Sequence, residues 1–133
     1  MTGACICGDV TVTLAEVPNF LNDCNCGLCR KLGVWWGYYP VDQVVVTGPT
    51  VTFCRPDRTT PSVDIHHCHQ CGATTHFASL PHISPPHIGV NMRLFSAKSL
   101  QGIELRFPDG ANWAGSGSFG YRREAVILDG ISH

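Results

Sequence analysis

The sequence predicts a mainly β chain whose helices are very short. Three observations carry that reading. Apolar and β-branched residues recur in short runs, several of them at alternate positions, the period of a strand with one face buried. Glycine, proline, aspartate and asparagine punctuate those runs at close intervals. Cysteines gather in tight local clusters, Cys5-Ile6-Cys7-Gly8, Cys24-Asn25-Cys26-Gly27-Leu28-Cys29-Arg30 and Cys68-His69-Gln70-Cys71-Gly72, while Cys54 stands apart.

Taken in order, residues 9–15 alternate polar and apolar and read as a half-buried strand directly after the first cysteine pair. A second strand runs from Val34 through Trp35, Trp36, Tyr38 and Tyr39 to Pro40. Val44 to Thr47 and Val51 to Cys54 are β-branched runs flanking Gly48-Pro49, which predicts a hairpin. Val63 to His67 leads into the last cysteine pair and Ala73 to Phe77 leads out of it, the outline of a zinc-knuckle hairpin. His87 to Leu94, Ile103 to Phe107 and Ala125 to Leu128 are further short strands. Helix is expected only for a turn or two after Cys29 and from Ala97 to Gln101. Such a series of short strands and turns indicates a β-dominated architecture.

With 133 residues and no linker, repeat or low-complexity tract, the chain is expected to form one domain over 1–133, large enough for an ordinary hydrophobic core. Its 9 basic and 10 acidic residues give a net charge of -1, which leaves no electrostatic footprint for a nucleic-acid backbone. The opening residues lack a basic start followed by an apolar stretch, and no apolar run approaches the roughly 18 residues of a bilayer span. A soluble, cytoplasmic protein is therefore expected, without a membrane partner. In a reducing compartment eight cysteines read as ligands and not as four bridges; a secreted disulfide framework is the alternative.

In Cys68-x-x-Cys71-Gly72 both sulfurs can face one point while glycine accepts the left-handed backbone after the second ligand. Cys5 and Cys7, two apart in an extended segment, point to one face and supply a second pair. Together Cys5, Cys7, Cys68 and Cys71 make a closed structural zinc site, the plainer alternative being buried free thiols. Cys24, Cys26 and Cys29 offer three more thiolates and no obvious fourth, the arrangement of a catalytic zinc with an open position. Such a position can bind an incoming thiol as thiolate, with Arg30 or Lys31 attracting a substrate carboxylate. Two other readings stay open: a closed second zinc completed by Cys54 or a histidine, and a triad that holds no metal until substrate arrives.

Cys54 lies in a strand pattern that more often buries a small thiol than presents a ligand. His66, His67 and His69 flank the knuckle and read as surface residues or as groups supporting the ligands. His76, His82 and His87 are isolated candidates for a pocket border. Trp35, Trp36, Tyr38 and Tyr39 are expected to build core or pocket wall.

At these clusters the chain resembles the glutathione-dependent formaldehyde-activating enzyme family, which includes centromere protein V and has an Mss4-like zinc-bound β-sheet fold. The matching pieces are residues 3–10, 24–31 and 67–72, and residues 89–93 and 107–113 resemble segments of bacterial members. The resemblance implies that Cys5, Cys7, Cys68 and Cys71 hold a structural zinc and that Cys24, Cys26 and Cys29 hold a catalytic one. It implies carbon-sulfur lyase chemistry in which glutathione and formaldehyde combine to S-hydroxymethylglutathione. Two departures stand out. Many members have histidine where this chain has Asn25, and two tryptophans, Trp35 and Trp36, follow where smaller residues are common. The leading expectation is a zinc enzyme acting on a thiol such as glutathione and an aldehyde; a zinc-stabilised protein-binding module and a thiol or metal sensor are the rivals.

Overall fold

A computed structural model of the chain describes residues 1–131. Among them the strands are β1 (Thr2–Ala4), β2 (Thr11–Leu14), β3 (Phe20–Asn22), β4 (Trp36–Pro40), β5 (Val44–Thr47) and β6 (Thr50–Cys54). They continue with β7 (Val63–Cys68), β8 (Thr74–Ser79), β9 (His87–Asn91), β10 (Glu104–Pro108) and β11 (Tyr121–Ile127). One short α-helix, α1 (Gly27–Leu32), and single 3-10 turns at Val41–Gln43, Met92–Leu94 and Ala97–Leu100 complete the set. The mainly β reading with very short helices therefore holds. No helix among the described residues is long and apolar enough to cross a membrane.

The strands form a three-stranded sheet, β1-β2-β5, and an eight-stranded sheet, β11-β10-β3-β4-β9-β8-β7-β6. All neighbours run antiparallel except β10 and β3, which pair in parallel with Leu105 opposite Leu21. The main core lies between the two sheets: Val12 and Leu14 of the small sheet pack with Leu21, Tyr39, Ile88, Val90 and Leu105 of the large one. Each such aliphatic side chain withdrawn from water contributes about 1.5–3 kcal/mol.

Strand alternation gives the large sheet a second, chemically different face. In β4, Tyr39 faces the main core, and a Cβ on Gly37 would meet the Met92 sulfur at 3.0 Å. Trp36 points the other way, into a cluster with Cys29, Val34, Ile65 and Phe77 beneath α1. A third cluster, Cys5, Val10 and Cys68 with Val46, Cys71 and Ala73, joins the β1–β2 turn of the small sheet to the β7–β8 turn of the large one.

Several elements differ from the sequence expectation. The Val44–Thr47 and Val51–Cys54 runs do not form a hairpin. β5 pairs with β2, Val46 opposite Val12, whereas β6 pairs with β7, Val51 opposite His67. The chain switches sheets at Gly48, whose φ of 106° suits glycine and where a Cβ would lie 1.9 Å from the Asp9 carbonyl oxygen. Gly-Pro does mark a break here, but tertiary packing sends its two flanks to different partners.

The strand beginning at His87 stops at Asn91 instead of Leu94. There the Asn91 side chain accepts from the Arg93 amide at 3.2 Å and donates to the Thr74 carbonyl at 2.8 Å, starting a 3-10 turn. Cys5 and Cys7 occupy a turn, closed by the Gly8 amide on the Cys5 carbonyl at 3.1 Å, and not an extended segment. The helix begins at Gly27, before Cys29, because Cys26 caps it. The last strand starts at Tyr121, four residues before the expected Ala125.

Candidate metal and thiol-binding site

Two groups of cysteines converge. Cys5, Cys7, Cys68 and Cys71 place their sulfurs within 4.8 Å of one another, with Cys5 to Cys7 at 3.5 Å and Cys7 to Cys68 at 3.7 Å. A tetrahedron with metal–sulfur bonds of about 2.3 Å has sulfur–sulfur edges of about 3.8 Å, so the spacing fits one four-coordinate ion. All of these cysteines are free thiols. Backbone amides already point at the sulfurs, Val10 to Cys5 at 3.3 Å and Gln70 to Cys68 at 3.4 Å. Backbone hydrogen bonding from Ala73 and Cys7 draws the Cys71 thiol down to about 6, into the range where it is a thiolate at neutral pH.

Cys24, Cys26 and Cys29 form the second group, again with sulfurs within 4.8 Å. The Cys26 sulfur accepts from the Cys29 amide at 3.5 Å, Cys24 accepts from the Cys26 amide at 3.5 Å, and Cys29 accepts from the Trp36 indole N–H at 3.2 Å. Hydrogen bonds from Cys24 and Cys29 hold the Cys26 thiol far below the ordinary range, and the same contacts, together with burial, drive Cys29 upward. No fourth His, Cys, Asp or Glu joins this group among the described residues.

The loop after β10 presses directly on the triad. A Cβ on Gly110 would stand 2.4 Å from the Cys24 sulfur. Asn25, placed between two of the ligands, donates to Asp109 at 2.8 Å and accepts from the Ala111 amide at 3.0 Å, so the loop is stapled to the cysteine segment from both sides. Asn112 also donates to Asp109 at 2.8 Å, and these bonds hold the Asp109 carboxyl below its usual range.

Above the triad lies a cavity of about 240 Å³. Trp36, Tyr38 and Phe77 form one wall, with Trp36 and Phe77 edge-to-face at 5.0 Å between centroids. Trp113 and Phe119, with ring centroids 4.5 Å apart, line it as well. Arg55 and Arg58, from the β6–β7 loop, supply its cations. Burial pushes the Tyr38 phenol up to about 12, so it keeps its proton at neutral pH; its oxygen accepts from the Asn22 amide at 3.3 Å.

The expected aromatic residues are therefore core and pocket wall as read from sequence: Trp35, Trp36 and Tyr39 are buried, and Tyr38 borders the cavity. Other expectations change. Cys54 is exposed, its sulfur weakly directed to the Val63 carbonyl at 3.9 Å, because β6 is the sheet edge; it joins neither cysteine group. Arg30 and Lys31 project outward from α1 and do not line the cavity. His66 and His76 stack at 4.1 Å, His69 approaches Asp9 at 3.7 Å, and His82 is exposed. Of the histidines, His87 borders the cavity. Sequence reading missed Arg55 and Arg58, which stand in a Pro- and Thr-rich turn whose only signal was its charge.

The fold and its two thiol groups define a cysteine-rich β protein with two clusters that could each hold a metal ion. Residues 1–104 match the family of the glutathione-dependent formaldehyde-activating enzyme, and the chain belongs to that family. Among solved structures it is similar to the crystal structure of a Rhodobacter sphaeroides protein, with a TM-score of 0.57 and 24% identity over 71% of this chain and 87% of that one. No match was found among curated proteins.

Proposed function

We propose that the chain is a zinc-dependent carbon-sulfur lyase-like enzyme, active in the cytoplasm as one 133-residue domain, that joins a thiol to an aldehyde. Glutathione and formaldehyde, combining to S-hydroxymethylglutathione, are the pair that the family's description suggests. The observation that carries this reading is the three-thiol group at the floor of a 240 Å³ cavity, with no fourth protein donor among the described residues. Cys5, Cys7, Cys68 and Cys71 would hold a structural zinc, and Cys24, Cys26 and Cys29 a second one. The all-thiolate donor sets and their spacing suit that ion. Held by Cys24, Cys26 and Cys29, zinc would supply an open coordination position at which an incoming thiol stays ionised at neutral pH.

The chain's own residues do the rest. Amide and indole donors at Cys24, Cys26 and Cys29 fix the sulfurs and offset their negative charge. Trp36 and Phe77 exclude water from the reacting sulfur, and the Trp113–Phe119 pair does so as well. Tyr38, holding its proton, donates a hydrogen bond to the aldehyde oxygen as negative charge builds there. The sulfur–carbon bond forms while the carbonyl π bond opens, and the proton lost by the thiol ends on the new hydroxyl. Exchange NMR of formaldehyde with glutathione and with small mercaptans measures adduct formation against the spontaneous rate. Acceleration with at least one thiol that disappears in Cys26→Ser supports the reading, and spontaneous rates throughout overturn it.

A further inference from the structure

The charge pattern of the cavity names a narrower substrate class. Arg55 is satisfied internally, donating twice to Asp57 at 3.0 and 2.7 Å. Arg58 lines the same cavity within electrostatic range of Asp57 but forms no hydrogen bond or ion pair among the described residues, so its N–H donors are open to a ligand. None of the lining residues is aspartate or glutamate, and the Asn22 amide oxygen is sealed from solvent. Besides the arginines and the triad the lining is mainly aromatic and aliphatic, with Leu28, Val63 and Ile65 joining the rings and Asn22, Ser62 and His87 adding a few polar groups. A ligand entering this space meets a sulfur-binding floor, apolar sides and a cation.

We propose, resting on the thiol-binding reading above, that the cavity takes a mercaptocarboxylic acid with an apolar or aromatic body and no ammonium group, in preference to glutathione. A carboxylate reaching Arg58 forms a charge-assisted pair, bidentate where geometry allows. The apolar body replaces water along Trp36, Phe77 and Trp113. Glutathione carries an α-ammonium, and in this cavity that charge loses water without gaining a carboxylate partner, which is costly. Its two amide groups likewise lie against largely apolar walls.

The test uses the full chain loaded with cobalt, whose sulfur-to-metal absorption reports a fourth thiolate at the triad independently of turnover. The probes are 4-(mercaptomethyl)benzoate, benzyl mercaptan, glutathione and 2-mercaptoethanol. The benzoate is expected to bind about ten-fold or more tightly than glutathione, and Arg58→Gln to weaken it by about ten-fold while leaving benzyl mercaptan unchanged. Arg58 is exposed on a loop, so the variant keeps the fold. Glutathione binding as tightly as the benzoate overturns the inference, as does an Arg58→Gln protein that binds the benzoate normally; both leave the thiol-binding reading standing. A spectrum unmoved by all four probes overturns that reading and the inference with it.

Discussion

Gly110→Ala offers the sharpest perturbation of the second cysteine group. The added methyl would lie 2.4 Å from the Cys24 sulfur and 3.2 Å from the Cys26 Cβ. Ordinary contacts between such atoms fall near 3.5–4.0 Å, so sulfur and loop must separate by roughly 1 Å. Metal–ligand distances tolerate about 0.2 Å, so a sulfur displaced that far no longer ligates well. The loop cannot easily retreat instead, because Asn25 holds both the Asp109 carboxylate and the Ala111 amide. Releasing those two bonds costs on the order of 1 kcal/mol each. Gly110 does not have a positive φ, so the variant tests the contact and not backbone strain. The expected result is a loss of about 1–3 kcal/mol of stability from overpacking and a fall of about 100-fold in metal affinity at one of two sites, the size of effect that ligand misplacement brings. Chelator competition with metal counted per chain measures the affinity, and thermal melting measures the stability. Two ions retained at unchanged affinity with an unchanged melting temperature would refute the account of this loop.

Cys26→Ser is expected to cost one metal equivalent and leave the circular dichroism spectrum intact, whereas Cys68→Ser, at a fully buried position joining the two sheets, should unfold or aggregate the chain; equal and mild effects would contradict two distinct roles. Asn25→Ala removes the staple on the β10–β11 loop and should lower triad metal affinity about ten-fold, and Asn25→Asp, which keeps the acceptor for Ala111 but sets a second carboxylate against Asp109, should lose at least as much, as chelator competition can read. Burial, and then the neighbouring His66, holds the His76 imidazole down to about 4. The unfolded chain binds that proton below about 6.5, so stability rises with pH between about 4 and 6.5 and is lost as pH falls through that window. The full difference is about 3.5 kcal/mol at about 1.4 kcal/mol per pH unit. In denaturant titrations at pH 4.5 and 7, wild type should lose more unfolding free energy than His76→Gln on going to the lower pH, by most of that amount, and equal losses would exclude it.

The cysteine pattern was legible because its information is local. Cys68-x-x-Cys71-Gly72 and Cys24-x-Cys26-x-x-Cys29 fix sulfur geometry within a few residues, where backbone conformation has little freedom. Strand alternation was legible for the same reason in β2, and the runs flanking Cys68 and Cys71 pointed to β7 and β8. The Gly48 break was visible, but not its outcome, since the partner of β5 is β2 and that of β6 is β7. β3 escaped notice because three residues carry no measurable alternation, and its parallel partner β10 lies more than eighty positions away. The exposure of Cys54 follows from β6 ending a sheet, and edge position is not written in a strand's own composition.

By itself the sequence determined a β-rich chain, two thiol groups and the division of seven cysteines between them. Those properties rest on spacing and side-chain period, both set by neighbours along the chain. The cavity was decided only by tertiary structure, which brings Trp36 and Phe77 of one sheet into the same lining as Trp113 and Phe119 of a distant loop, and which lines it with Arg58 and not with Arg30 or Lys31. Close contact between segments so far apart depends on which strands pair and in what register, and these follow from burying the whole core at once.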